Sequence, residues 1–162
     1  RLYASGNGTA VVNTTTETAF DTSFSVPGNS LAVGQTLDVV IRGIYSTDGT
    51  TPGSVRFKLK LGSTVVGDTG VITLNASMSN RSWEIRSTFI VTAIGAGGTI
   101  EIQSLASIAN GTGTASIADM PNNAAVSVDT TASKTLSCTV TMGAANANNT
   151  FQVRTFEILK SQ

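Results

Sequence analysis

The sequence predicts an all-β protein, a single antiparallel jelly-roll sandwich of about eight to ten strands that residues 1–162 form as one domain. Three observations predict this fold. Apolar and polar residues alternate with a period of two, short apolar stretches are separated by turns rich in Gly, Asn and Asp, and no segment has the period of a helix. No internal repeat or linker divides the chain, and its length allows about 70% of the unfolded surface to be buried without a disulfide or a metal.

Strict alternation predicts the first two long strands. One strand covers 18–26 and ends at Pro27-Gly28, and its shared face carries Thr18, Phe20, Thr22, Phe24 and Val26. The next strand places Asp38 and Arg42 on the face opposite Leu37, Val39, Ile41 and Tyr45.

Two hairpins follow. A strand is expected over 54–61, where Val55, Phe57, Leu59 and Leu61 alternate with basic residues, and Gly62-Ser63 then forms a two-residue turn into a strand over 64–66. A further short strand is expected over 71–76. A long strand over 82–94, with Trp83 on its inward face, joins a strand over 99–104 through the flexible turn 95–98.

The C-terminal half begins with a segment that lacks a sustained period. Residues 107–123 are rich in Ala, Asn, Thr and Gly, which predicts a long, mobile surface loop that orders against a neighbour and is the segment expected to meet a partner. Strands are expected again over 125–128, 135–142 and 150–159. The last contains a β-bulge between Val153 and Phe156, where the inward set changes phase.

The charge pattern argues against two classes of partner. Ten basic and ten acidic residues cancel and are scattered singly, so we expect no nucleic-acid binding. Apolar runs are only three residues long, so we expect no membrane insertion. The chain opens at Arg1-Leu2-Tyr3 without an initiating methionine, so we expect it to be a processed or excised piece.

The sequence predicts a protein that is not an enzyme, with no catalytic, cofactor-binding or metal-binding residues. It has no histidine, which removes the commonest general base and metal ligand and every Ser-His or Cys-His pair. A glycosidase-type carboxylate pair is the remaining option, with the candidates Asp21, Asp38, Asp48, Asp68, Glu84, Glu101, Asp119, Asp129 and Glu157. Their loop or outward positions favour solubility.

Four other features have a structural and a functional interpretation. Asp48-Gly49 and Gly67-Asp68-Thr69-Gly70 could bind calcium but are more typical of turns. Gly95-Ala96-Gly97-Gly98 lacks the ending of a phosphate loop and is expected to close a hairpin. Cys138 occupies an inward position and is expected to be a buried structural thiol, with a reactive nucleophile as the alternative.

Two further patterns concern sugars. Trp83 and Tyr45 could form aromatic platforms for a carbohydrate ligand, although the phase of Trp83 favours the core. Six Asn-x-Ser/Thr triplets, expected to arise largely by chance, begin at Asn7, Asn13, Asn75, Asn80, Asn110 and Asn148.

The C-terminal third contains a series of short motifs: Val128-Asp129-Thr130-Thr131, Lys134-Thr135-Leu136, Thr139-Val140-Thr141 and Gly143-Ala144-Ala145-Asn146-Ala147-Asn148-Asn149-Thr150. These motifs resemble those of small structural proteins of tailed bacteriophages. Upstream segments resemble the same group in the same order: Thr18-Ala19-Phe20, Val26-Pro27-Gly28-Asn29-Ser30-Leu31, Gly34-Gln35-Thr36-Leu37, Gly43-Ile44-Tyr45, Leu61-Gly62-Ser63, Asp68-Thr69-Gly70 and Trp83-Glu84-Ile85.

This resemblance implies a jelly-roll virion surface protein: a head fibre, spike, capsid decoration or tail-fibre module. Its implied partners are copies of itself, as a homotrimer, other virion proteins, and a host surface glycan or receptor. It implies no catalytic residues, and structural roles for Asp129-Thr130-Thr131 and Gly143-Ala144-Ala145. The segment 107–123 departs from the family pattern. The alternative is a carbohydrate-binding module or adhesin domain.

Overall fold

The computed structural model describes residues 2–120 and 122–161, which form two antiparallel β-sheets packed as a sandwich. Within these residues there are 13 strands and no helix, so no helix is present that could cross a membrane. The strands are β1 Tyr3–Ser5, β2 Val11–Val12, β3 Thr18–Val26, β4 Thr36–Ser46, β5 Ser54–Leu61, β6 Thr64–Asp68, β7 Ile72–Thr73, β8 Arg81–Ala93, β9 Thr99–Ile108, β10 Ser116–Asp119, β11 Asn122–Ser127, β12 Lys134–Met142 and β13 Thr150–Lys160.

The larger sheet has the order β1-β13-β4-β8-β9-β10, with β2 also paired to β13 and β11 also paired to β9. The smaller sheet has the order β3-β12-β5-β6, with β7 also paired to β5. The chain crosses repeatedly from one sheet to the other, as a two-sheet jelly-roll design requires. The predicted all-β antiparallel sandwich is therefore confirmed.

Alternating side chains from both sheets fill the interior. The core contains a stack of aromatic rings in which Trp83 lies between Phe57, at a centroid distance of 4.7 Å, and Phe20, at 5.6 Å. The indole approaches the backbone of β4 because Gly43 has no side chain there, and it donates a hydrogen bond to the Ile44 carbonyl at 3.2 Å. These contacts hold the sheets face to face around one hydrophobic cluster.

Several predicted elements have the predicted bounds. Strands β3 and β5 coincide with the predicted 18–26 and 54–61, and Gly62, at φ 64°, lies in the two-residue turn that joins β5 to β6. The β8–β9 hairpin is confirmed. The predicted bulge in β13 is confirmed between Val153 and Thr155, where the register with β4 shifts.

Two predictions need correction, and two short strands were missed. The expected strand over 71–76 is reduced to the two residues of β7. Nine strands have five or more residues in the described part of the chain, in line with the predicted number, but the short strands β1 and β2 were not predicted because each depends on pairing with the distant β13.

The predicted loop over 107–123 was wrong over much of its length. Strand β9 continues to Ile108, and β10 and β11 pair antiparallel with successive parts of β9. Burial of Ile108 and Met120 in the core holds this segment against the sheet, which compensates for its weak strand propensity. Two residues named in these predictions lie outside the described residues: Pro121, within the predicted loop, and Arg1, with which the expected processed chain opens.

Candidate functional site

The motif Asp129-Thr130-Thr131, which belongs to the bacteriophage resemblance, ties three loops together by hydrogen bonds at one end of the sandwich. The Asp129 carboxylate accepts hydrogen bonds from the backbone amide of Thr131 at 2.9 Å and from its hydroxyl at 2.6 Å. The Thr130 hydroxyl accepts from the Gly95 amide at 2.8 Å, and the Thr130 carbonyl accepts from the Asn29 amide. The structural role expected for Asp129-Thr130-Thr131 is confirmed by these bonds.

A second such motif, residues 143–150, ties two loops together at the opposite end of the sandwich. The buried side chain of Asn149 accepts from the Asp48 amide at 2.8 Å and donates to the carbonyls of Thr51 at 3.0 Å and Ala144 at 3.2 Å. A side chain at Gly143 would collide with Ser54, so the small residue permits a close approach of the β12–β13 loop to the start of β5, in agreement with the structural role that the resemblance implies for Gly143-Ala144-Ala145. The loop β12–β13 is thereby tied to the loop β4–β5.

The two calcium candidates are turns. The Asp48 carboxylate accepts from the backbone amides of Thr50 at 2.9 Å and Thr51 at 3.0 Å and from the Asn148 side chain at 3.0 Å, and these donors lower its pKa. Asp68 accepts from Arg56 Nε at 2.7 Å and from the Gly70 amide at 2.9 Å, with a lowered pKa caused first by Arg56. Both carboxylates therefore hold their own loops.

The carboxylate candidates are largely engaged in such local contacts. Asp21 accepts from the Thr9 amide at 2.8 Å, and Asp38 accepts from the Thr88 hydroxyl at 2.7 Å. Glu84 and Glu157 are brought together only through Arg42, which lies between them. Across residues 2–120 and 122–161, no three Asp, Glu, Cys or His side chains form a group that could hold a metal ion.

The aromatic platform is contradicted by burial. Trp83 is 2% exposed and Tyr45 is 1% exposed. Tyr45 stacks on Phe151 at 5.1 Å and donates its hydroxyl to the Ala109 carbonyl at 2.9 Å, and burial raises its pKa to about 12. Neither ring can therefore stack on a sugar. Cys138 is also fully in the core, where burial raises the pKa of its thiol, as expected for a structural cysteine.

The glycosylation triplets divide into two groups. The side chains of Asn75, Asn110 and Asn148 donate hydrogen bonds to the protein, so their amide nitrogens are engaged. The other three asparagines are exposed and have no side-chain hydrogen bond in the described part of the chain: Asn7, Asn13 and Asn80.

A groove on the outer face of the larger sheet is the site that sequence reasoning missed. It has a volume of about 380 Å³ and adjoins a second depression of about 320 Å³, and Glu84 and Ser107 line both. The first part is bounded by Leu105 and Ile117, which are 54% and 72% exposed. Strand β10 forms one wall, so the segment 107–123 contributes directly to this surface.

Strand register explains how the groove is assembled. Outward residues of β8 lie opposite those of β9, which pairs Arg86 with Leu105 and Glu84 with Ser107. The next strand then places Ile117 beside Ser107. Leu105 lies just beyond the strand predicted from the sequence, and Ile117 lies in the predicted loop, so the only available signal was two isolated apolar residues in polar surroundings.

The Glu84 carboxylate is the electrostatic centre of the groove. It accepts from Arg86 and from Arg42, the latter at 2.5 Å between Nε and Oε2. These contacts, with Arg86 first, lower the pKa of Glu84. The Arg86 side chain is 66% exposed, so its remaining N–H groups face solvent.

No protein-family model and no curated protein sequence matches the chain. Among solved structures, it is similar to the CBM2 module of the evolved Dit protein of Lactobacillus casei BL23 phage J-1, with 8% identity, a TM-score of 0.39, and coverage of 95% of this chain and 74% of that one. It is also similar to the alginate lyase from Corynebacterium sp., with 14% identity, a TM-score of 0.33, and coverage of 88% and 63%. These TM-scores are too low to identify a shared fold.

Proposed function

We propose that the chain is a non-enzymatic structural module of a bacteriophage virion surface, acting by oligomeric assembly. The observation that carries the proposal is that the motif residues, which resemble those of that protein group, form the two hydrogen-bond networks that tie together the loops at the ends of the sandwich. A module with both sets of loops fastened presents rigid surfaces to neighbouring subunits, and its ends need no partner to become ordered.

The engagement of its reactive groups supports the same proposal. The candidate carboxylates Asp21, Asp48, Asp68 and Asp129 each accept a backbone amide. A general acid or base needs a carboxyl group that is free to exchange a proton with substrate. Asp48, Asp68 and Asp129 instead stabilise turns, and Asp21 ties β3 to the segment that contains Thr9. Both roles suit a protein acting through its surface.

The proposal has a direct test. Antibodies against the chain should label intact virions in electron microscopy, and mass spectrometry of purified particles should detect it in fixed proportion to the capsid protein. Sedimentation velocity should show a trimer at micromolar concentration. A chain absent from purified particles would contradict the virion assignment, and a strict monomer would contradict the trimer.

A further inference from the structure

We propose that the groove between Arg86, Gln103, Leu105, Ser107 and Ile117 binds an uncharged glycan. The inference rests on the proposed function, since it gives a virion surface module a means of attachment. It differs from the aromatic-platform model because the ligand lies on the outer face of the larger sheet, where none of the buried rings takes part.

The pairing of the strands restricts the kind of ligand. The floor of the groove is formed by β8 and β9, and each of these strands has a hydrogen-bonded neighbour on both sides. The wall strand β10 is at the edge of the sheet, but it contributes to the lining only through Ile117. An extended peptide is usually recognised by the free backbone groups of an edge strand, and the floor offers a row of side chains instead. The ligand must therefore carry its own hydrogen-bonding groups at close intervals, as the hydroxyls of a sugar do.

The charges of the groove balance. Glu84 and Arg86 line it, and they form an ion pair with each other. Arg42, which also contacts Glu84, is balanced by Glu157 at 3.9 Å. A ligand with several charges of one sign would meet no net opposite charge there, and its desolvation would be uncompensated. The lining therefore favours a neutral ligand over an acidic or a basic one.

The groove also combines free polar groups with apolar surface. Neither Gln103 nor Ser107 makes a side-chain hydrogen bond within residues 2–120 and 122–161, and Arg86 retains exposed N–H groups. Leu105 and Ile117 expose apolar surface beside them. Few polar groups set in apolar surroundings are typical of ligand sites, and ~300–1,000 Å³ is their usual volume. Sugars match this lining because they present hydroxyls at their edges and C–H groups on their faces.

The test is a printed array of neutral, sialylated and sulfated oligosaccharides, followed by calorimetric titration of the neutral oligosaccharide that binds best. Gln103→Ala should weaken its binding about fivefold and Arg86→Ala at least about tenfold, because the first removes neutral and the second charged hydrogen bonds. Ile117→Ser should also weaken it. Two matched controls lie outside the groove. Val71→Ser alters an apolar residue that is as exposed as Ile117, and Thr135→Ala alters an exposed polar residue of β12 in the smaller sheet.

Each outcome decides the inference. Loss of binding in the groove variants with retention in the controls supports it, provided that Trp83 fluorescence shows every variant to be folded. Binding that Gln103→Ala and Ile117→Ser leave unchanged overturns it, as does binding restricted to acidic glycans or an array without any signal. In these cases the virion assignment stands or falls separately, on labelling of the particles.

Discussion

Asn149→Ala should be among the most destabilising changes of a polar residue in this protein. The side chain is 2% exposed and makes three hydrogen bonds, all to backbone groups of two loops. At about 1 kcal/mol for each bond, the free energy of unfolding should fall by about 3 kcal/mol. For a protein of this size, that loss lowers the melting temperature by roughly 6–12 °C.

The assay is urea unfolding followed by the fluorescence of Trp83, the single tryptophan, whose burial makes its emission sensitive to loss of the core. Asn149→Asp keeps the side-chain oxygen that accepts from the backbone amide of Asp48. It replaces the donating NH2 group by an oxygen that faces the carbonyls of Thr51 and Ala144. It should therefore be at least as destabilising as alanine. The matched control is Asn7→Ala, an exposed asparagine, expected to lie within about 0.5 kcal/mol of wild type.

The result that would refute this reasoning is a loss below about 1 kcal/mol in Asn149→Ala, with an unchanged dependence on urea. It would mean that water replaces the three bonds at little cost. The network at this end of the sandwich would then be a consequence of the fold, and the motif Gly143-Ala144-Ala145 would need another explanation.

Three further changes test separate parts of the structure. Glu17 binds Lys58 at 2.6 Å, and this contact lowers the pKa of the Glu17 carboxyl from 4.5 to about 2. Wild type should therefore be more stable than Glu17→Gln above about pH 5, and this advantage should vanish as the pH falls towards 2. Acid titrations of unfolding measure the difference. The hydroxyl of Ser87 is buried and has no hydrogen-bond partner in the described chain, so Ser87→Ala should raise the melting temperature. The matched variant Ser104→Ala loses a hydrogen bond to the Arg86 carbonyl and should lower it. Cys138 should react with a thiol reagent only at the rate of unfolding; rapid labelling of the native protein would disprove its burial.

The parts of the fold that the sequence predicted are those with strong local contrast. In β5, three basic residues alternate with Val55, Phe57, Leu59 and Leu61, and this contrast defines both the strand and its buried face. In β10, by contrast, Ser116–Asp119 contains one large apolar side chain, and that side chain points outward. A strand of this kind is defined by its partner β9, which local alternation does not reveal.

The candidate site was beyond prediction for a related reason. Its floor and wall come from β8, β9 and β10, and their side-by-side order is a property of the whole sheet. Burial of Trp83 and Tyr45, in contrast, agrees with the phase of each residue on its strand, although the contacts that bury them come from residues far along the chain, such as Phe151 beneath the tyrosine ring. The motif residues were easier to interpret, because Asp129 and Thr131 are two positions apart and form a local turn.

The low content of charged residues has a consequence for how the loops respond to salt. Charged residues make up only 12% of the sequence, and both ends of the sandwich are held by hydrogen bonds of Asn, Thr and backbone groups, some of them to the carboxylates of Asp48 and Asp129. Such short hydrogen bonds to neutral donors are little affected by ionic strength, whereas exposed ion pairs weaken as salt screens them. The loops should therefore keep their geometry across a wide range of salt, whereas salt should act on the ion pairs of the strands. These pairs include the cluster of Arg42, Glu84 and Arg86 on the larger sheet and the pairs of Arg56 with Asp68 and of Lys58 with Glu17 on the smaller one. A module built in this way separates the hydrogen bonds that fix its loops from the ion pairs on the outer faces of its sheets, and one group of these ion pairs lines the groove.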